Sequence, residues 1–178
     1  MRTHTNIILI GLMGSGKTTV GGRLSARMGY RFIDVDKEIE TDCGKTIPHI
    51  FTYGESYFRD LETAMIRKVC EAEQAVISTG GGVVKRADNI RALRRSGTVF
   101  YLKWPAKELY DHVKGDGSRP LLNVPDPSAE LENLLTEREP LYLSAAHVVI
   151  ECAGKQIKTI ADEIEGIINE TDSCHTRG

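Results

Sequence analysis

The segment Gly11-Leu12-Met13-Gly14-Ser15-Gly16-Lys17-Thr18 carries glycine, lysine and a hydroxyl residue at the spacing GxxxxGK[ST]. That spacing suits one kind of chemistry, the wrapping of a chain of phosphates. Glycines let consecutive backbone N–H groups turn toward anionic oxygens. A helix that starts where the loop ends aims its free N–H groups and its positive dipole end at the same point. Lys17 is placed to bridge the β- and γ-phosphates of a nucleoside triphosphate, and the Thr18 hydroxyl to ligate Mg²⁺. Gly14, Ser15, Gly16 and Thr19 complete the expected nucleotide contacts. The aspartate that ends a later strand in many such proteins is missing, because Ala75-Val76-Ile77-Ser78 runs into Thr79-Gly80. Asp34 and Asp36, which follow Phe32-Ile33, are the nearest substitutes as a second magnesium anchor.

Such a loop works only if a strand delivers it and a helix leaves it. Ile7-Ile8-Leu9-Ile10 is a continuous apolar run, as in a strand covered on both faces. Val20, Leu24 and Met28 form one stripe of a helix that Gly29 can stop. Phe32-Ile33 opens a second strand expected to end at Asp34-Val35-Asp36. Phe58, Leu61, Met65 and Val69 mark a helix, and Ala75–Ser78 a third strand. Ile90 and Leu93 mark a helix closed near Gly97, and Val99-Phe100-Tyr101-Leu102 a fourth strand. Residues 115–127 read as a long loop, with Asp126-Pro127 as cap and first-turn proline of a helix through Leu131, Leu134 and Leu135. Val148-Val149-Ile150 is a fifth strand, and Ile157, Ile160, Ile164 and Ile167 stripe a last helix. The polar tail from Asn169 is expected to fray. The alternation predicts an α/β fold with a five-stranded parallel sheet and helices on both faces.

Composition narrows the class. The 178 residues are 40% hydrophobic and 27% charged, which fits one folded domain over 1–178. Lys and Arg number 23 against 25 Asp and Glu, a formal net charge of −2. A chain so balanced does not rely on a basic field to hold nucleic acid or an anionic membrane. The four cysteines, Cys43, Cys70, Cys152 and Cys174, include no CxxC pair and no zinc-ligand spacing. They read as reduced, mostly buried thiols of a cytoplasmic protein. The apolar stretch from Ile7 passes straight into the glycine loop rather than into a cleavage site. No segment has the roughly 20 apolar residues needed to span a bilayer. His4, His49, His147 and His175 form no catalytic constellation.

On the phosphate loop alone, GTPases, ATPases, nucleotide kinases and small-molecule kinases remain open. Further along come Asp34-Val35-Asp36, Phe58-Arg59 with Glu62, Gly80-Gly81-Gly82, Arg119-Pro120-Leu121-Leu122 and Arg138-Glu139-Pro140-Leu141-Tyr142. This ordered set, from about Ile7 to Ile167, resembles the shikimate kinase family of P-loop small-molecule kinases. A gluconate or nucleotide kinase and a non-catalytic nucleotide-binding regulator are the alternatives. The resemblance implies a three-layer P-loop kinase fold, similar to that of nucleoside monophosphate kinases. It also implies a small substrate-binding region at about 34–62 and a mobile lid at about 114–127. The implied reaction is ATP- and Mg²⁺-dependent phosphorylation of the 3-hydroxyl of shikimate, a step toward the aromatic amino acids, by a monomer.

The same resemblance implies roles for single residues. Arg59 and Arg138 hold the shikimate carboxylate, a task that suits the guanidinium fork. Asp36 contacts the reacting hydroxyl and Asp34 lies toward Mg²⁺, although Asp34 read by itself is also a helix cap. Gly80, Gly81 and Gly82 let backbone approach the ring hydroxyls. Arg119 rides the lid onto the transferring phosphate. Glu62 either contacts substrate or orients Arg59. One position departs from the family, in which an arginine often covers the adenine. Here that residue is His112, whose smaller ring offers less area for stacking.

Overall fold

The protein is described by a computed structural model covering residues 6–117 and 120–175. Five strands form one sheet: β1 (Asn6–Ile10), β2 (Arg31–Asp34), β3 (Ala75–Ser78), β4 (Gly97–Lys103) and β5 (Val148–Glu151). Their order is β2-β3-β1-β4-β5, and every neighbouring pair is parallel. The helices are α1 (Lys17–Met28), α2 (Val35–Cys43), α3 (Ile47–Phe51), α4 (Glu55–Val69), α5 (Ala87–Ser96), α6 (Ala106–Val113), α7 (Pro127–Ala145) and α8 (Ile157–His175). Every residue of β1 and β3 is buried, so the sheet is covered on both faces, as the continuous apolar runs predict. Ile7, Ile8, Leu9 and Ile10 have no exposed surface; burying each such side chain stabilises the fold by about 1.5–3 kcal/mol. The chain builds outward from β1, first toward β2 and then toward β5. The loop after β1 therefore leaves the sheet at the switch point, where parallel sheets open a crevice.

Several boundaries differ from the sequence reading, each for a local reason. The second strand stops at Asp34, and Asp36 lies in the first turn of α2. The Asp34 side chain accepts a hydrogen bond from the Lys37 amide at 3.2 Å, which is a helix cap and ends the strand. Gly97 opens β4 as well as closing α5. It lies against Asn6 so closely that a Cβ there would overlap the Asn6 backbone. The long loop contains a short 3₁₀ turn over Pro120–Leu122. Helix α7 runs on to Ala145, so Arg138 and Tyr142 share a helix with Leu131 and Leu134, and Pro140 sits inside it. Helix α8 runs past Asn169 to His175, and Ile167 and Ile168 still pack on the core. Of the cysteines, Cys152 is buried while Cys43 and Cys70 are half-buried. Helices α3 and α6 were not foreseen; both are short. Among the described residues no helix is long and apolar enough to cross a membrane.

Candidate active site

Every strand contributes its carboxyl end. The phosphate loop follows β1, Asp34 closes β2, Thr79 to Gly82 follow β3, Trp104 follows β4, and Lys155-Gln156 follow β5. Because all the strands are parallel, these ends gather along one edge of the sheet. Two adjoining pockets open there. The first, of about 580 Å³, is lined by Met13 to Thr19, Asp34, Asp36, Ser78 to Gly81, Trp104, His112, Lys155, Gln156 and Ile157. The second, of about 350 Å³, is lined by Asp36, Lys37, Glu40, Phe51, Phe58, Arg59, Gly80 to Gly82, Leu121 and Arg138, among others. Met13, Thr18, Asp34, Asp36, Gly80 and Gly81 belong to both, so the two pockets meet at the carboxylates of Asp34 and Asp36.

The first pocket wraps the loop between β1 and α1. Gly14 and Gly16 have φ of 78° and 80°, in the left-handed region that suits glycine. Space forbids a side chain there as well: a Cβ would come within 2.7 Å of Val113 at Gly14 and 2.8 Å of Ile157 at Gly16. Lys17, the first residue of α1, is 8% exposed. Its ammonium donates to the carbonyls of Gly11 at 2.9 Å and Leu12 at 3.0 Å and to Ser15 Oγ at 3.1 Å. The Thr18 hydroxyl donates to Asp34 Oδ2 at 2.8 Å. Asp34 thus caps α2 with one oxygen, as one of its two readings expects, and accepts from Thr18 with the other. Thr18 and Asp34 present hard oxygen donors side by side at the mouth of the loop. So small a protein share fits Mg²⁺, which keeps waters and phosphate oxygens in its shell. Among the described residues no cluster of three or more metal-binding side chains exists.

Two groups brace this loop, one from α6 and one just after β4. His112 Nδ1 lies 2.9 Å from the Gly14 carbonyl, so this nitrogen carries the proton. Trp104 Nε1 donates to the Ser15 carbonyl at 3.1 Å, and its ring meets His112 edge-on at 4.9 Å. Trp104 and the Lys155-Gln156-Ile157 wall escaped the sequence reading. The signal available was their position just after predicted strands.

The second pocket is made of side chains. Arg59, on α4, is 6% exposed, and Arg138, on α7, is 1% exposed. Glu62 Oε2 accepts from Arg59 at 2.9 Å, and Glu55 Oε1 accepts from it at 3.1 Å. Burial pulls the Arg59 guanidinium down, but Glu62 and Glu55 outweigh it and hold the group above its ordinary value. Glu62 has no exposed surface. There burial wins, and it pushes the carboxyl up against the pull of Arg59, Arg138 and Arg86. Glu62 thus orients Arg59, as one of its two readings expects. The glycine turn fits closely between these groups. A Cβ on Gly80 would lie 2.9 Å from carboxylate oxygens of both Asp36 and Glu62, and one on Gly82 would overlap the Arg59 guanidinium. The lid arginine, Arg119, lies outside the described residues.

A family sequence model described as "Shikimate kinase" matches residues 13–169. A shikimate kinase from Symbiobacterium thermophilum is 43% identical over 162 residues, covering 89% of this chain and 93% of the relative. One from Neisseria gonorrhoeae is 46% identical over 148 residues, covering 83% and 87%. Among solved structures, a shikimate kinase from Acinetobacter baumannii in complex with shikimate superposes with a TM-score of 0.92 at 39% identity, covering 95% of both chains. The family model and the relatives each cover most of the chain's length, and the chain belongs to the shikimate kinase family.

Proposed function

We propose that this protein transfers the γ-phosphoryl group of ATP to the 3-hydroxyl of shikimate, giving shikimate 3-phosphate and ADP. The observation that carries the reading is the junction of the two pockets. A backbone cradle for phosphates meets a side-chain pocket with two buried arginines, and the carboxylates of Asp34 and Asp36 lie where they join. In this reading the triphosphate lies in the loop formed by Gly14, Ser15, Gly16, Lys17, Thr18 and Thr19. Lys17 exchanges its bonds to loop oxygens for phosphate oxygens. Thr18 and Asp34 would hold Mg²⁺, which supplies positive charge to the phosphates when bound. His112 and Trp104 form the wall beside the loop.

Arg59 and Arg138 take the carboxylate of the acceptor. Their burial shields the pair from water and makes each charge-assisted bond worth more than at a surface. Gly80, Gly81 and Gly82 leave room for the ring. Asp36 orients the reacting hydroxyl and accepts its proton. Phosphoryl transfer has a loose transition state, so orientation supplies much of the rate. Arg119 is the proposed lid cation, arriving as charge spreads over the equatorial oxygens. The region at about 34–62 holds the acceptor and residues 114–127 close over it.

A coupled assay of ADP release with shikimate, gluconate and AMP in parallel tests the assignment. Stimulation by shikimate alone is expected. Stimulation by gluconate or AMP instead overturns the substrate, and no stimulation by any of them in Mg²⁺ and ATP points to a nucleotide-binding regulator.

A further inference from the structure

Resting on the acceptor pocket assigned above, we propose that Lys85 is a positioning residue. Its ammonium shares a carboxylate oxygen of Glu55 with Arg59, and so keeps Glu55 from cancelling the charge that Arg59 offers the acceptor. Arg59 Nε and Nη2 donate to Glu55 Oε1 at 3.2 and 3.1 Å, and Nη1 donates to Glu62 Oε2 at 2.9 Å. A guanidinium has five N–H donors, so donors are left over for the carboxylate of an acceptor. Its charge is not left over in the same way. Glu55 alone balances the charge of Arg59, Glu62 adds to the opposition, and the acceptor carboxylate enters against both. Lys85 Nζ donates to the same Glu55 oxygen at 3.1 Å. With Glu55 taken up by Lys85, the charge of Arg59 is again available to the acceptor.

The fold delivers Lys85 from a fixed point. It ends the 3₁₀ turn Val83–Lys85, directly after Gly82 of the glycine turn. Val83 and Val84 are buried, the Lys85 amide donates to the Gly82 carbonyl at 3.0 Å, and the Asn89 side chain donates to the Val83 carbonyl at 3.1 Å. The turn packs against both α4 and α7, the helices that carry Arg59 and Arg138. Lys85 Nζ also lies 4.0 Å from Glu137, the neighbour of Arg138 in the chain. The side chains of Lys85 and Glu55 are 33% and 38% exposed, so solvent partly screens the pair and its effect is moderate. Burial pushes the Glu55 carboxyl up, but Lys85 and Arg59 outweigh it and hold the group below its ordinary value. Glu55 is thus an ionised partner of both cations.

Lys85→Met keeps most of the side chain's length and removes the ammonium. The Kd for shikimate, read by calorimetry, should rise about three- to fivefold, the scale of a partly exposed ion pair. Nucleotide affinity should be unchanged, and kcat should stay within about twofold. Lys85→Arg keeps the charge and should bind shikimate as the wild type does. In a Glu55→Gln background there is no carboxylate to neutralise, so adding Lys85→Met should leave the Kd where Glu55→Gln alone puts it. An unchanged Kd in Lys85→Met overturns the proposal, as does an equal loss in Lys85→Arg. An equal loss in the Glu55→Gln background also overturns it, because Lys85 then acts on the acceptor without Glu55. So does a parallel loss of nucleotide affinity with a falling Tm, the mark of a general packing defect. If the wild type binds no shikimate at all, the substrate assignment falls, and NMR of the ligand-free proteins decides Lys85 alone. Without Lys85, Glu55 pulls harder on Arg59, so the Arg59 Nε–H signal should move downfield in Lys85→Met; an unmoved signal overturns the role. Should Lys85→Met not fold, the Lys85 ammonium signals of the wild type and of Glu55→Gln serve: a shift between them supports the shared oxygen, and identical signals overturn it.

Discussion

The two pockets are built by different means. The phosphate cleft takes seven lining residues from one continuous stretch, Met13 to Thr19, whose turn rests on glycine backbone. The acceptor pocket takes its charged groups from α2, α4 and α7, far apart in sequence, with Arg59 held by Glu62. A backbone site depends on a few glycine conformations and tolerates change around it. A side-chain site depends on a network and fails wherever one member moves.

The largest effect should come from the one side chain indispensable to the backbone site. Lys17→Ala should lower kcat by roughly 10²-fold or more, the cost of removing a charge aimed at the transition state. Circular dichroism should show the fold intact, and wild-type turnover in that folded variant would contradict the assignment. Next come the arginines. Arg59→Ala and Arg138→Ala should each weaken shikimate binding by tens-fold or more, since truncating a buried charged partner costs about 2–5 kcal/mol. Nucleotide affinity, read by calorimetry, should hold. A shikimate analogue lacking the carboxylate sharpens the comparison: the two variants should lose little further affinity for it.

Smaller effects separate positioning from packing. Gly82→Ala brings a methyl group into the Arg59 guanidinium, the flexible end of a side chain, so the protein should fold while KM for shikimate rises. Gly22→Ala, on α1 with nothing within 4 Å of the added methyl, should instead raise stability by about 0.5–1 kcal/mol and leave both KM values alone. Equal KM shifts in the two variants would erase the distinction between the pockets.

The smallest effect concerns Glu62. Burial raises its carboxyl above the ordinary 4.5, so the native state binds that proton more tightly than the unfolded chain does. The stability this contributes is present below 4.5 and lost as pH climbs through the raised value. The Tm of Glu62→Gln relative to wild type should therefore move in the variant's favour as pH rises through that window and level off above it. A pH-independent difference would mean that Glu62 does not titrate there.

The same contrast decides what the sequence could reveal. The phosphate loop was legible because glycine spacing between an apolar run and a helical stripe is itself the mechanism. The sheet was legible because strands buried on both faces are apolar throughout. Asp34 has two readings, cap and magnesium neighbour; the coordinates show the cap and a bond to the Thr18 hydroxyl. The three-residue spacing of Arg59 and Glu62 left Glu62 two roles, substrate contact or orienting Arg59, and the structure shows the bond to Arg59. Tyr142 stands out in the sequence only as part of a motif, because its stack on Tyr101 and its bond to Gly81 join residues remote in sequence. Trp104 and Ile157 escaped for the same reason. Helix α3, of five residues, is too short to show a period. His112 was read as a ring for stacking on adenine, and its bond to the Gly14 carbonyl depends on how α6 packs over the loop.

The chain's one tryptophan gives the protein an optical property. Trp104 is 5% exposed, is hydrogen-bonded to the Ser15 carbonyl and lines the phosphate cleft but not the acceptor pocket. Indole emission responds to the polarity and hydrogen bonding around the ring, so light emitted by this residue originates beside the phosphate loop and nowhere else. Occupation of the loop should alter its colour and intensity, while the acceptor by itself leaves them nearly unchanged. The protein therefore carries an intrinsic fluorophore that distinguishes donor from acceptor without any label.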